Sequence, residues 1–309
     1  MDKFITVIQV VAPIFTSIFL GMYAKRKRLL SQDGIQGMQQ FVMNFGLPCV
    51  VFNSVLTADL GAEALTSMGL VLPLMLLGTF WAFRARKKQF PYHNFPQLFA
   101  AQETGMLGIP LFMILFGADQ AYRMGVLDLA QAPAAFPVIA ILSANTGENP
   151  TPSAVVKKVL TSPLLIMSAL ALTLNLTGAG AWLDSIGVSG IITECTSFLG
   201  QPVSAMMIFS VGYNFSLDKE SRKDITEVSI IHFAYYALGG LLVQLALCLI
   251  PGIDMVTRIV LLMYFTLPAS YLAPSLGRTQ RDSRMASGVC SVLTVVSLAI
   301  FCVIAAFVA

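Results

Sequence analysis

The sequence predicts an all-α polytopic membrane protein: ten transmembrane helices in two inverted five-helix repeats, helices 4 and 9 broken, both termini outside. Three observations lead there. The first is composition: of 309 residues 56% are hydrophobic and 11% charged, with a mean hydropathy of +0.77. Water-soluble domains carry about 25% charged residues, so soluble enzymes and nucleic-acid-binding proteins are excluded. The second is ten apolar stretches long enough to span a bilayer at roughly 20 residues each. The third is charge asymmetry. With the N-terminus outside, all of the 19 Lys and Arg residues except Lys3, Arg123 and Arg258 fall in inside loops, which the positive-inside rule demands.

The spans run over 4–24, 36–56, 65–83, 95–116 and 122–143, then 159–178, 190–213, 227–250, 257–277 and 286–308. The first ends in Lys25-Arg26-Lys27-Arg28, with its charge after the apolar run. A cleaved signal peptide has the reverse order, so span 1 reads as a retained helix. Inside loops after spans 3, 5, 7 and 9 hold Arg84, Arg86, Lys87 and Lys88, then Lys157 and Lys158, then Lys219, Arg222 and Lys223, then Arg278, Arg281 and Arg284. The cysteines (Cys49, Cys195, Cys248, Cys290, Cys302) are scattered without CxxC spacing, and His93 and His232 lie far apart. No metal site is expected, and the thiols read as small apolar residues.

Five spans per half is an odd number, so similar halves, here 1–149 and 150–309, face opposite ways. Prolines suggest the similarity: Pro13 pairs with Pro163, and Pro48 with Pro202, each at a comparable depth in its half. The fourth spans match too. One contains Gln102-Glu103-Thr104-Gly105-Met106-Leu107-Gly108-Ile109-Pro110, the other Leu267-Pro268-Ala269-Ser270-Tyr271-Leu272-Ala273-Pro274. Gly, Pro and polar residues at mid-membrane depth break a helix and free backbone groups that hydrocarbon cannot satisfy. Such breaks are tolerated facing a cavity, and paired breaks in inverted halves point to a transporter site.

These residues also carry a family resemblance. The run Phe41-Val42-Met43-Asn44-Phe45-Gly46-Leu47-Pro48 with Phe52, Thr104 with Gly108-Ile109-Pro110-Leu111 and Gly117, Ser162-Pro163-Leu164 with Leu174-Asn175-Leu176-Thr177-Gly178, and Phe209-Ser210-Val211-Gly212 resemble the auxin efflux carrier family. That family includes bacterial malonate-type carriers and plant auxin exporters, and its fold is similar to that of bile-acid sodium symporters. The resemblance spans essentially the whole chain. It implies that helices 4 and 9 cross at mid-membrane. It implies a scaffold of spans 1, 2, 6 and 7 that also forms a homodimer contact, and a mobile transport part of spans 3–5 and 8–10. The substrate would sit beside the crossing. This chain departs from the family in span 4, where Gln102 and Glu103 stand in place of a common asparagine. It departs again in span 9, where Ser270 and Tyr271 replace the asparagine of many bacterial members.

Glu103 and Asp128 are the deepest acids. An ionised acid at mid-bilayer costs about 2.5–3.5 kcal/mol on insertion scales, so it must be paired, hydrated or protonated. Glu103 reads as a site group, a proton carrier or a cation ligand together with Gln102, or else as a hydrogen bond that closes the broken helix end. Asp128 could carry the coupling ion or proton as well. With Gln131, three residues on and on the same helix face, it forms a pocket-lining pair or a bond to a neighbouring helix. Pro133 and Pro137 predict an irregular span 5. Asn44, four residues before Pro48, either binds substrate or caps the break. Thr104, Pro268, Ser270 and Tyr271 complete the substrate-binding set, and His232 reads as structural.

The expected function is a secondary active transporter that moves a small organic anion, a carboxylate, by alternating access. Half-helix N-termini at a break favour an anion. Sodium or protons are the candidate coupling ions, with no other cofactor. The alternative is a membrane-embedded solute sensor or channel. No HExxH, GxGD or Walker A sequence occurs, so an enzyme or an ATP-driven pump is not expected. The expected setting is a bacterial inner membrane, with lipids, a small organic acid and a second copy of the chain as partners.

Overall fold

The computed structural model describes residues 2–56, 58, 61–143, 157, 161–215 and 222–308. Lys158, Lys219, the start of span 6 at 159–160 and the boundary between the halves at 149/150 lie outside the described residues. The helices are α1 (Asp2–Lys27), α2 (Gln32–Phe41), α3 (Leu47–Leu56), α4 (Ala62–Lys88), α5 (Ile109–Phe116) and α6 (Ala121–Ser143). They continue as α7 (Pro163–Leu176), α8 (Ala179–Ser185), α9 (Val188–Gly200), α10 (Val203–Asn214), α11 (Arg222–Cys248), α12 (Met255–Thr266) and α13 (Gln280–Val308). Among the described residues no strand forms. Five helical stretches are long and apolar enough to cross a membrane: Ile8–Lys27, Ala62–Lys88, Ala118–Leu142, Arg222–Cys248 and Gln280–Val308. The protein is thus an all-α membrane protein.

The stretches expected as spans 2, 4, 7 and 9 are divided into shorter pieces, and proline chemistry explains where they divide. Val42–Gly46 and Thr104–Gly108 are π-helical turns, followed by Leu47-Pro48 and Ile109-Pro110. Proline lacks an N–H, and its ring clashes with the carbonyl four residues back. A widened turn just upstream relieves both problems. Pro202 separates α9 from α10. Leu267, forced out of the helical region by Pro268, is extended at ψ 153° and ends α12.

Two proline expectations need correction. Pro163 is the first residue of α7, with Ser162 capping it, whereas Pro13 lies well inside α1. The two therefore hold different positions in their helices. Span 5 is not irregular, because α6 runs unbroken through Pro133 and Pro137. Transmembrane helices tolerate proline when neighbours re-satisfy the freed carbonyls.

Packing couples helices distant in sequence. α1 lies along α10, and α3 along α7. At Gly21 and Gly212 the backbones of α1 and α10 touch: a Cβ on Gly21 would sit 2.1 Å from the Phe209 carbonyl oxygen, and one on Gly212 2.2 Å from that of Ile18. The kinks of spans 2 and 7 also meet reciprocally. A Cβ on Gly46 would strike Val203 and one on Gly200 would strike Val50, both at 2.7 Å.

Polar clamps hold the two ends of α4. At its start Arg123 joins Glu63 (3.4 Å) and Asp254 (2.7 Å), while the Thr257 hydroxyl donates to Glu63 at 2.7 Å. Beyond its far end, the Tyr92 hydroxyl donates to Asp224, Arg281 reaches that same carboxylate at 3.5 Å, and the His93 N–H donates to Asp282 at 3.3 Å. The first clamp unites the starts of α4, α6 and α12, and the second unites the chain before residue 95 with the starts of α11 and α13.

In the first clamp, burial pushes Asp254 up, but hydrogen bonds from Thr257 and Arg123 outweigh it and hold the carboxyl below the usual range. A depressed folded-state pKa stabilises at neutral pH, and that stability is lost as pH falls from about 3.9 through the lower folded value. Arg123→Ala leaves two acids half-compensated. Both are partly exposed, so the cost falls between that of surface and buried pairs, about 1–2 kcal/mol. A lower Tm in detergent at pH 7, and a smaller drop in Tm on acidification than in the parent, check this.

Candidate functional site

The two broken segments meet backbone to backbone. Gln102 and Ala269 form an antiparallel bridge; the Glu103 N–H donates to the Pro268 carbonyl (2.8 Å) and the Ser270 N–H to that of Ala101 (3.0 Å). Backbone groups freed by the prolines thus satisfy one another. With the Gln102 amide turned so that its nitrogen faces the break, it donates to the Leu267 and Pro268 carbonyls at 3.0 and 2.9 Å.

Glu103 ties the junction from one side chain. One carboxylate oxygen accepts the Met106 N–H (3.1 Å), capping the π-helical turn, and the other accepts the Tyr271 N–H across the break (2.6 Å). It is buried. Of the two sequence readings, closure of the broken helix end is the one this geometry displays.

Behind the junction lies a second network. Gln131 accepts the Gln102 N–H (2.7 Å) and the Tyr264 hydroxyl (2.9 Å), and donates to the Gln102 carbonyl, Thr104 and Asp128. The Thr104 hydroxyl donates to Asp128. The Asp128–Gln131 pair therefore ties α6 to both broken segments, as the reading of a bond to neighbouring elements has it. The Ser270 hydroxyl accepts the Leu272 N–H at 3.3 Å. Pro268 is buried.

In front of the junction a cavity of ≈ 450 Å³ opens, within the usual range for small-molecule sites. Its deep wall is Met106, Tyr271, Cys290 and Thr294. The Tyr271 hydroxyl is bonded to Thr294 (2.7 Å) and the Cys290 thiol to the Ala269 and Ser270 carbonyls (3.6 and 3.7 Å). Toward the mouth stand Lys25, Gln32, Gln36, Gln39 and Asn214. Lys25 Nζ donates to the Phe215 carbonyl at 3.0 Å, and Gln32 to Asn214 at 3.3 Å. By contrast, the pocket beside Arg123, near the other end of α4, holds ≈ 20 Å³.

Tyr271 is thus in the cavity wall, and Glu103 holds its backbone from behind. Gln102, Thr104, Asp128, Gln131, Pro268 and Ser270 belong to the junction and its supporting network. Asn44 is exposed in the π-helical turn of span 2, and no side chain caps that turn, so the capping reading is corrected. His232 is buried with its ring against Phe99 and Tyr236 at 5.3 and 4.7 Å, as a structural residue would be. Sequence reasoning missed Lys25, the glutamine face of α2 and Thr294. The spacing of Gln32, Gln36 and Gln39, which places all three on one helix face, was the available signal.

Residues 6–143 match the family model described as a membrane transport protein. No curated protein matches the chain.

Proposed function

We propose that the chain, whose residues 6–143 match the family model of a membrane transport protein, is a member of the auxin efflux carrier family and a secondary active transporter of a small organic carboxylate. The observation that carries this reading is the ≈ 450 Å³ cavity, which runs from the Lys25 ammonium to the paired helix break at Tyr271. Its lining offers one cation, several amides and hydroxyls, and apolar surface, which suits a molecule with a carboxylate and a compact body.

The unequal openings support alternating access. The cavity lies on the face rich in basic residues, which the positive-inside rule would make cytoplasmic, and on that reading the conformation is inward-open. The scaffold would be α1–α3 with α7–α10, and the moving part α4–α6 with α11–α13. The reciprocal glycine contacts and the two equivalent clamps support ten spans in inverted halves, with both termini outside. A homodimer formed through the scaffold, in a bacterial inner membrane, completes the proposal.

Glu103, buried at the junction, is the proposed coupling group. It would exchange a proton or hold sodium with Gln102 and backbone carbonyls while Tyr271 meets the substrate. Uptake into proteoliposomes, across dicarboxylates, monocarboxylates, amino acids and indole acids with sodium or proton gradients, tests the reading. Saturable uptake with counterflow is expected; non-saturating conductance would sink it in favour of a channel. Lys25→Gln is expected to raise KM for the carboxylate about tenfold with little change in kcat, and Lys25→Arg to restore it. An unchanged KM would remove Lys25 from the site.

A further inference from the structure

A second cavity, of ≈ 470 Å³, lies beyond the end of α4 and is lined by Arg86, His93, Arg278, Arg281 and Asp282, among others. Its charged side chains come from the last turn of α4 (Arg86) and from the start of α13 and the residues just before it (Arg278, Arg281 and Asp282), while the chain before residue 95 adds the His93 ring. Asp282 is committed. One carboxylate oxygen accepts the His93 N–H at 3.3 Å, the other the N–H groups of Arg278 (3.1 Å) and Thr279 (2.9 Å). Arg281 shares Asp224 at 3.5 Å. Among the described residues, neither Arg86 nor Arg278 enters an ion pair.

The arrangement is held in place. Arg86 donates to His93 Nδ1 at 3.0 Å, which leaves Nε2–H to donate to the Leu142 carbonyl at 3.1 Å. Histidine serves here as a neutral strut for the guanidinium. Burial, and then the positive charges of Arg86 and Arg278, hold His93 below its ordinary pKa, although the Leu142 bond and Asp282 oppose this. Like charges gathered around a cavity without enough counter-charge raise the local affinity for an anion.

We propose that the Arg86–Arg278–Arg281 cavity binds the phosphate of an anionic phospholipid headgroup. Guanidinium forks match phosphate oxygens bidentately. The cavity lies at helix ends among basic residues; on the proposed topology this is the depth of the headgroup layer, where basic pockets between helices hold such lipids. A bound headgroup would link α4, the entry to broken span 4 and α13.

The purified full-length protein in detergent is titrated with phosphatidylglycerol, phosphatidylcholine or inorganic phosphate, and binding is read by native mass spectrometry and Tm. Phosphatidylglycerol is expected to bind and raise Tm, phosphatidylcholine is not, and Arg86→Gln/Arg278→Gln should weaken the lipid roughly tenfold or more. Competition by inorganic phosphate at millimolar levels would keep the phosphate site but make a soluble anion its source. No preference for phosphatidylglycerol together with no phosphate binding, or binding unchanged in the double variant, overturns the proposal. Should the double variant fail to fold, Arg278→Gln, at an exposed position, is read by the same criteria.

Discussion

Replacing Glu103 by Ala is expected to lower stability by about 2–5 kcal/mol, since it strips the acceptor from two backbone N–H groups at once. Those of Met106 and Tyr271 would both lose the partner that the buried Glu103 carboxylate gives them at the junction of the broken segments. Glu103→Gln keeps one carbonyl oxygen but turns an N–H toward the other donor, so roughly half that loss is expected. The functional consequence separates the two roles of this carboxylate. If Glu103 carries the coupling proton or cation, Glu103→Gln abolishes concentrative uptake and spares substrate exchange. Uptake against a gradient that persists in a folded Glu103→Gln protein would show that closing the break is its whole role. Detergent-phase Tm and paired uptake and counterflow assays read both effects.

The second large effect is expected at Gly21 and Gly212. A single methyl at either position would sit 2.1 or 2.2 Å from a backbone carbonyl oxygen of the facing helix. No side-chain rotation relieves such a contact, so α1 and α10 must separate. Overpacking of this kind costs typically 1–3 kcal/mol and more when backbone is the obstacle, so Gly21→Ala and Gly212→Ala should each lose about 3 kcal/mol. Gly190 in α9 provides the contrast, because its Cβ would meet nothing within 4 Å. There Gly190→Ala should be neutral, or stabilising by about 0.5–1 kcal/mol from reduced backbone entropy. Equal Tm shifts at Gly190 and Gly212 would refute the close approach. The small residue matters because hydrophobicity does not drive helices together inside lipid, whereas close backbone contact does.

Local chemistry made much of the fold legible. Leu47-Pro48, Ile109-Pro110 and Leu267-Pro268 mark where helices widen or end, since a proline's missing N–H and ring clash act within one turn of its own position. The same local reasoning misplaced Pro13 against Pro163 and over-read Pro133 and Pro137. Whether a proline breaks a helix depends on which neighbours satisfy the freed carbonyls, and those neighbours are distant in sequence. Asn44 shows this limit as well. Its spacing from Pro48 suits a cap, yet the turn widens into a π-helix and the side chain faces outward.

By itself the sequence determined that this is a membrane-embedded helical chain, that its basic residues concentrate in short segments between apolar stretches, and that the proline-bearing segments around Glu103 and Tyr271 carry the unusual polar residues. Those properties follow from composition and from effects that reach no further than a helical turn. The tertiary structure decided what the residues do. It paired Glu103 with Tyr271 across 168 positions of chain, drew Asp128 and Gln131 into the support of the break, and opened the cavity on the side where Lys25 and Thr294 stand. A carboxylate's role is set by which donors lie within 3 Å of it, and only the packing of distant helices supplies those.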